Sequence, residues 1–338
     1  MGKGDKHLRG MMRIAVDAMG GEHAPHEVVR GAMKACRDHC GEIVLVGKES
    51  ALKSELANYN LRDLQISIVD ANEVVEFHEH PTQAVRNKRD SSIVVGMNLL
   101  KRGDVAAFVS AGNSGAVMAA ALLTLGSIEG IERPALGFLF SAPEHPVLLL
   151  DVGANADCKP GFLVQFAQMG SVYMERVFAV ERPRIGLLSN GEEENKGNQL
   201  VRESHKLLKD TSLNFIGNVE GNDVVTGKAD VVVTDGFTGN VMIKEGEGLG
   251  ELVLHSLQRT LAAGPRLKIA AFFFGAALRH AIKGLDYSEH GGAPLLGVNG
   301  NVIIAHGKSN AKAIRNAIFM AKQEAEQGVL EAMRQGII

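Results

Sequence analysis

Four turns in this chain concentrate the residue types that bind an anion or stabilise a developing negative charge. The first, Ser110-Ala111-Gly112-Asn113-Ser114-Gly115, follows the apolar run 105–109 and precedes a small-residue helix over 117–125. Its glycines let the backbone turn closely enough to aim unpaired amide N–H groups outward, which is how a helix N-terminus cradles an anion. The same residues also read as an ordinary helix cap supplied by Asn113 or Ser114. Three further turns repeat the pattern: Asp151-Val152-Gly153-Ala154-Asn155 with Lys159 just beyond, Ser189-Asn190-Gly191-Glu192 with Lys196, and Asp235-Gly236-Phe237-Thr238-Gly239-Asn240 with Lys244. Each follows a short apolar run of the kind that forms a buried strand.

The elements that must position these turns alternate along the chain. Strands are expected over 14–17, 43–46 and 65–69, with helices over 25–39, 50–58 and 92–102, and a helix over 162–177 follows the second polar turn. Such alternation implies right-handed crossovers and an α/β fold: an open, mostly parallel sheet with helices on both faces. Turns at successive strand C-termini of an open parallel sheet converge in space, so all four are expected along one crevice. Residues 12–338 read as a single α/β domain, and residues 1–11 as a polar, disordered extension without the apolar core of a signal peptide. Residues 245–285 form a separate helical extension, interrupted near Gly264-Pro265.

Composition narrows the chemistry. The chain has 338 residues, 45% of them hydrophobic, and a net charge of -3, which argues against nucleic-acid binding because that rests on a basic domain or stripe. Cys36, Cys40 and Cys158 lack ligand-like spacing, so neither a structural metal nor a disulfide is expected, and a reducing cytoplasm fits. No dinucleotide fingerprint follows a strand. Gly307-Lys308-Ser309 resembles the end of a P-loop, but Val302 stands where its first glycine is required. His78-Glu79-His80 reads as a solvated loop, and Glu192-Glu193-Glu194 as the acidic first turn of a helix continuing through Leu207. There is no nucleophile elbow, and Cys158 reads as a bystander. If acyl chemistry occurs, the nucleophile belongs to a substrate, and phosphate is one that an amide-rich cleft with lysines can hold.

Seven blocks in order resemble the bacterial phosphate acyltransferase (PlsX) family. They are Asp17-Ala18-Met19-Gly20-Gly21 with His23-Ala24-Pro25, Ser110 through Gly115, Leu150-Asp151-Val152-Gly153-Ala154-Asn155-Ala156-Asp157-Cys158-Lys159-Pro160, Gly191-Glu192-Glu193-Glu194, Asn214 through Gly221, Asp235 through Asn240, and Gly291-Gly292-Ala293-Pro294-Leu295-Leu296-Gly297. The resemblance implies reversible transfer of a fatty acyl group from acyl carrier protein to inorganic phosphate, yielding acyl phosphate for phospholipid synthesis. It also implies a homodimer without a cofactor, in a Rossmann-like fold similar to phosphotransacetylases and to isocitrate and isopropylmalate dehydrogenases. The product's consumer would be a membrane glycerol-3-phosphate acyltransferase, which suggests peripheral contact with the inner face of the membrane. A coenzyme A-dependent phosphotransacetylase, a decarboxylating dehydrogenase and a non-catalytic scaffold remain rival readings.

On this reading Asn113, Lys196, Asp235 and Asn240 are the expected catalytic residues. Ser110, Gly112, Ser114, Gly115, Asp151, Asn155, Lys159, Asn218 and Lys244 are expected to bind phosphate or the acyl donor, with no metal. An acidic carrier protein needs a basic surface, for which there are two candidates: Arg86-Asn87-Lys88-Arg89, and Arg259, Arg266, Lys268, Arg279 and Lys283 on the helical extension. Within that extension, residues 269–278 are too short an apolar run to span a bilayer but suit an interfacial or dimer-forming helix.

Overall fold

The computed structural model describes residues 12–62, 64–142, 145–262 and 291–336. The first half alternates as expected: β1 (Arg13–Asp17), α1 (His26–Arg37), β2 (Glu42–Gly47), α2 (Glu49–Leu56), β3 (Ile66–Asp70), α3 (Pro81–Asn87), α4 (Ser92–Arg102), β4 (Ala107–Ser110) and α5 (Ser114–Thr124). Then come β5 (Ala135–Phe140), β6 (Val147–Leu150), α6 (Pro160–Phe178), β7 (Arg184–Leu188), α7 (Gln199–Lys209), β8 (Asn214–Val219), α8 (Gly221–Thr226), β9 (Val231–Val233) and α9 (Gly236–Ala262). The chain closes with β10 (Ala293–Leu296), β11 (Asn301–Ile304), α10 (Ala311–Glu326) and α11 (Val329–Gly336).

The eleven strands of the described residues form one sheet in the order β3-β2-β1-β4-β11-β10-β5-β6-β9-β7-β8. Successive strand residues face opposite sides, and both sides are buried. Ile14 and Val16 join α1, α6 and α10 in one core, whereas Ala15 between them joins α4 and α5 in the other. Helices thus cover both faces, as the alternation predicts.

The sheet is mostly parallel, as expected, but it reverses direction at its centre. Three consecutive pairings, β11 with β10, β10 with β5 and β5 with β6, are antiparallel, while the flanking blocks are parallel within themselves. The block β3-β2-β1-β4-β11 therefore runs opposite to β6-β9-β7-β8. The turns after β1 and β4 end one block and those after β6, β7 and β9 end the other, so they do not share one edge of the ladder. α9 leaves the end of β9 and carries Lys244 and Glu247 close enough for their charges to act on His306, beyond the end of β11.

Two further expectations change. Glu192-Glu193-Glu194 does not open a helix: α7 starts at Gln199, where Gly197 adopts a positive φ of 89° and the Asn198 side chain caps Val201 N at 2.9 Å. The acids instead pair sideways, Glu192 with Lys228 and Glu194 with Lys209. The helical run assigned to 245–285 begins nine residues earlier, at Gly236, because Asp235 caps it. Residues 1–11 and 263–285, including Arg266, Lys268, Arg279, Lys283 and the apolar run 269–278, lie outside the described residues.

One buried acid in this core makes stability depend on pH. Glu324 of α10 is 2% exposed and faces the fully buried Tyr173 of α6; burial pushes its carboxyl up to about 8, with the Tyr173 hydroxyl opposing the shift in part. The folded chain therefore keeps a proton that the unfolded chain loses near 4.5. Stability from this site is full below that pH and falls as pH rises toward 8. Glu324→Gln is expected to flatten this slope and gain a few kcal/mol over wild type at pH 8. Urea midpoints of both proteins at pH 5 and pH 8 measure it, and equal slopes would contradict it.

Candidate active site

Two buried carboxylates at strand ends hold the polar turns in shape. Asp17, closing β1, is 1% exposed; it accepts the Ser110 hydroxyl at 2.6 Å and the Met19 amide at 3.1 Å. Ser110 Oγ in turn accepts the Gly112 amide at 3.1 Å. Gly20 packs so tightly here that a Cβ would collide with Asp17 and with the Gly112 amide. Asp151, after β6, is fully buried and collects five N–H donors: Leu136, Gly153 and Ala154 on Oδ1, and the Asn155 backbone and side chain on Oδ2, all at 2.7–3.1 Å. Burial pushes both carboxyls up, and the donors oppose the shift without reversing it.

Several residues expected to touch substrate are thereby occupied. Ser110 and Gly112 belong to the Asp17 knot, and Asp151 and Asn155 form the other. Asn155 Nδ2 also donates to the Pro134 carbonyl at 2.8 Å. Asn113 is the N-cap of α5, accepting the Ala116 amide at 3.0 Å, and its Nδ2 donates to the carbonyls of Glu76 and Phe77 at 3.2 Å each. Both readings of this turn hold in part: the cap is present, while Ser114, exposed, and Gly115 present the first turn of α5. Asn218, 4% exposed, bonds the buried His205 ring at 2.9 Å and donates to the Glu193 carbonyl at 2.9 Å. Asp235 accepts the Thr238 amide and hydroxyl at 2.8 Å each.

Asn113 is accordingly a positioning residue that fixes the loop 76–79 against α5. Asn113→Ala is expected to lower stability by about 1–2 kcal/mol through the lost cap. Turnover should fall less than the hundredfold that loss of a charge-stabilising donor would cost. Urea unfolding beside steady-state kinetics distinguishes the two; a hundredfold loss at unchanged stability would make it a catalytic donor.

Two clefts open around the turn 151–159. One cleft of about 610 Å³ is lined by Gly153, Ala156, Gly236, Asn240, Lys244 and Glu245, with Phe237 and Val241 as its apolar wall. Asn240 reaches over Gly153, whose missing side chain leaves the room: a Cβ there would stand 3.2 Å from Asn240 Nδ2. Gly239 packs on the Asp151 carbonyl with no space for a Cβ, which seats α9 against this turn. Lys244 is 58% exposed and pairs with Glu247 at 2.8 Å. A second cleft, of about 470 Å³, is lined by Lys159, Arg133, Glu132, Asp157, Cys158 and Phe162.

Asn240 and Lys244 are thus brought together, Lys159 lies in the neighbouring cleft, and the exposed Lys196 lines neither. Reasoning from sequence missed Asp17, Arg133 and the apolar wall of Phe237 and Val241. An acid closing a strand before paired glycines was the available signal for Asp17; for Arg133, before a proline, there was none. Burial pushes the Cys158 thiol up to about 12, so it is no thiolate nucleophile at neutral pH. Among the described residues no cluster of His, Cys, Asp and Glu suits a metal, and no helix is long and apolar enough to cross a membrane.

Comparison with known proteins agrees with this architecture. The chain superposes on a phosphotransacetylase from Streptococcus pyogenes with a TM-score of 0.64 at 18% identity, covering 93% of this chain and 94% of that one. A branched-chain phosphotransacylase from Enterococcus faecalis gives 0.59 at 13% identity, covering 93% and 99%. By sequence, a phosphate acyltransferase from Dictyoglomus turgidum is 50% identical over 328 residues, 96% of this chain and 98% of the relative. One from Dehalococcoides mccartyi is 48% identical over 321 residues, 94% and 92%. Residues 12–332 match the family described as fatty acid synthesis protein. With that match and these near-full-length relatives, the chain belongs to the phosphate acyltransferase family of fatty acid synthesis proteins.

Proposed function

We propose that this protein reversibly transfers a fatty acyl group from acyl carrier protein to inorganic phosphate, producing acyl phosphate for phospholipid synthesis. The observation that carries this reading is the 610 Å³ cleft, where Asn240 and Lys244, whose ammonium an anion would share with Glu247, stand beside the apolar Phe237 and Val241. Such a pairing suits an anion on one side and an alkyl group on the other.

In the reaction, a phosphate oxygen attacks the thioester carbonyl, the C–O bond forms and a tetrahedral oxyanion develops. Collapse breaks the C–S bond, and the departing thiolate takes the proton that phosphate carried. Hydrogen phosphate is already nucleophilic, so the protein's work is to desolvate it, aim it and stabilise the oxyanion. Asn240 is assigned as donor to the oxyanion, with Lys244 holding phosphate. Lys159, with Arg133, receives charge on the donor's arm, and the α5 N-terminus at Ser114 and Gly115 is the second anion-binding element. Asp235 acts by capping α9 and so placing Asn240. Lys196 keeps its place as a candidate charge partner from the loop after β7, at the same end of that strand block as the turn after β9.

The carrier protein is acidic, which favours docking on the exposed Arg86 and Arg89, with the half-buried Lys88 beside them paired to Glu79 at 2.6 Å. We assign the working form as a cytoplasmic homodimer that delivers acyl phosphate to a membrane glycerol-3-phosphate acyltransferase. Trapping the product with hydroxylamine tests the reaction: hydroxamate should appear only when phosphate and acyl carrier protein donor are both present. No hydroxamate from an active preparation would contradict it.

A further inference from the structure

The turn that carries Lys196 is held by two buried polar side chains from neighbouring elements. Asn218, near the end of β8, donates its Nδ2 to the Glu193 carbonyl at 2.9 Å, and the same carbonyl accepts the Lys196 amide at 3.0 Å. Asn218 Oδ1 is thereby left facing His205 Nδ1 of α7 at 2.9 Å, so the ring nitrogen donates. The other ring nitrogen stands 3.7 Å from Glu194 Oε1 in the same turn, and the ring lies edge-on to Phe215 at 5.1 Å. A buried polar pair is costly unless its groups are satisfied. Here the groups of Asn218 and His205 are turned to one another or to residues 193–194.

The rest of the loop leaves this lysine clear. Glu192 pairs with Lys228 and Glu194 with Lys209, whereas Lys196 is exposed and forms no ion pair among the described residues. Asn190 Oδ1 accepts the Gly197 amide at 2.9 Å and so closes the base of the loop. Gly191 lies buried against the lysine stem: a Cβ there would stand 2.8 Å from Lys196 Cγ and 3.1 Å from Glu193 Oε2. Leu187, Val233 and Leu150 stand level on three adjacent parallel strands, so this loop leaves the same edge of the sheet as the turns 151–155 and 234–240. At ordinary strand spacing the outer two of these strands are about 10 Å apart.

We infer that Asn218 and His205 are positioning residues for Lys196: they fix the turn 193–196 so that its ammonium meets the charge of phosphate bound beside Asn240 and Lys244. The inference rests on the acyl-transfer reading and deepens it by assigning the loop after β7 to the phosphate subsite. Neither buried side chain touches substrate; each acts through the lysine. Ordering a lysine is entropically expensive, so seating its backbone on Asn218 and its stem on Gly191 lowers the cost of aiming it.

The test is the KM for phosphate, with kcat and the KM for the acyl donor, in wild type, Lys196→Ala, Asn218→Ala and Gly191→Ala, and in Lys196→Ala combined with each of the other two. Lys196→Ala is expected to raise the KM for phosphate at least about tenfold, the scale of one lost charge-assisted contact. Asn218→Ala and Gly191→Ala should each raise it about fivefold, with the donor KM unchanged. Added to Lys196→Ala, neither should raise it further, because the group they position is gone. Should Asn218→Ala not fold, Gly191→Ala carries the same test, since the nearest atoms its new methyl meets belong to the Lys196 and Glu193 side chains and none to the backbone. An equal rise with and without Lys196 would make Asn218 and Gly191 merely structural and overturn the inference, as would a Lys196→Ala protein with the wild-type KM for phosphate. Wild-type protein inactive with every donor would instead sink the acyl-transfer reading itself, so the two failures are distinguishable.

Discussion

Asn240→Ala should lower turnover with acyl carrier protein donor and phosphate by 10²- to 10³-fold while the protein stays folded. The size follows from its assigned part: removing one preorganised donor from a developing oxyanion costs about 3–4 kcal/mol of transition-state stabilisation. Asn240 is the residue for which the geometry leaves this role open. Its side chain is exposed to the cleft and stands over Gly153, whereas the amide groups of Asn113, Asn155 and Asn218 are spent on carbonyls and carboxylates. Steady-state kinetics with circular dichroism as the control measures it. A folded Asn240→Ala protein with near wild-type turnover would remove Asn240 from the chemistry and leave Lys244 and the α5 N-terminus to carry it.

The second large effect is on folding. Asp151→Asn keeps the side-chain size but turns one acceptor oxygen into a donor, and the Asn155 amides or those of Leu136, Gly153 and Ala154 then face an N–H group. Unpaired buried donors cost about 1–3 kcal/mol each, so a loss of roughly 3–5 kcal/mol is expected. The whole turn 151–159 should loosen with it, because Asn155 also accepts the Gly236 amide at 2.8 Å and so ties β6 to the start of α9. Urea unfolding of the variant checks this, and a midpoint equal to wild type would show that the knot is dispensable.

These two residues show what was legible in the sequence. The strands and most helices were, because parallel strands buried on both faces are short apolar runs, and the glycine-rich turns marked their ends. Asp151 and Asn240 were both visible as polar residues in such turns. Their difference in role was not, since it depends on which N–H groups the folded turn delivers: Asp151 meets five donors, Asn240 faces a cleft. The reversal of direction at β10 and β5 was equally hidden. Both strands are four to six ordinary apolar residues, and nothing local to Ala135–Phe140 or Ala293–Leu296 says which way a neighbour runs. The acidic run at Glu192 misled for a similar reason, as its partners Lys228 and Lys209 are distant in sequence or on a later helix.

In the proposed reaction substrate phosphate, and no side chain of the protein, attacks the thioester. Cys158 is protonated by burial, and Ser110 is committed to Asp17, so neither offers an acyl acceptor. Release of free thiol from acyl carrier protein, followed over the first turnover with and without phosphate, tests this most directly. Thiol should appear only with phosphate, one for each acyl phosphate formed, with no change in the mass of the enzyme. A burst of thiol without phosphate, equal to the enzyme present and accompanied by an acylated chain, would contradict it.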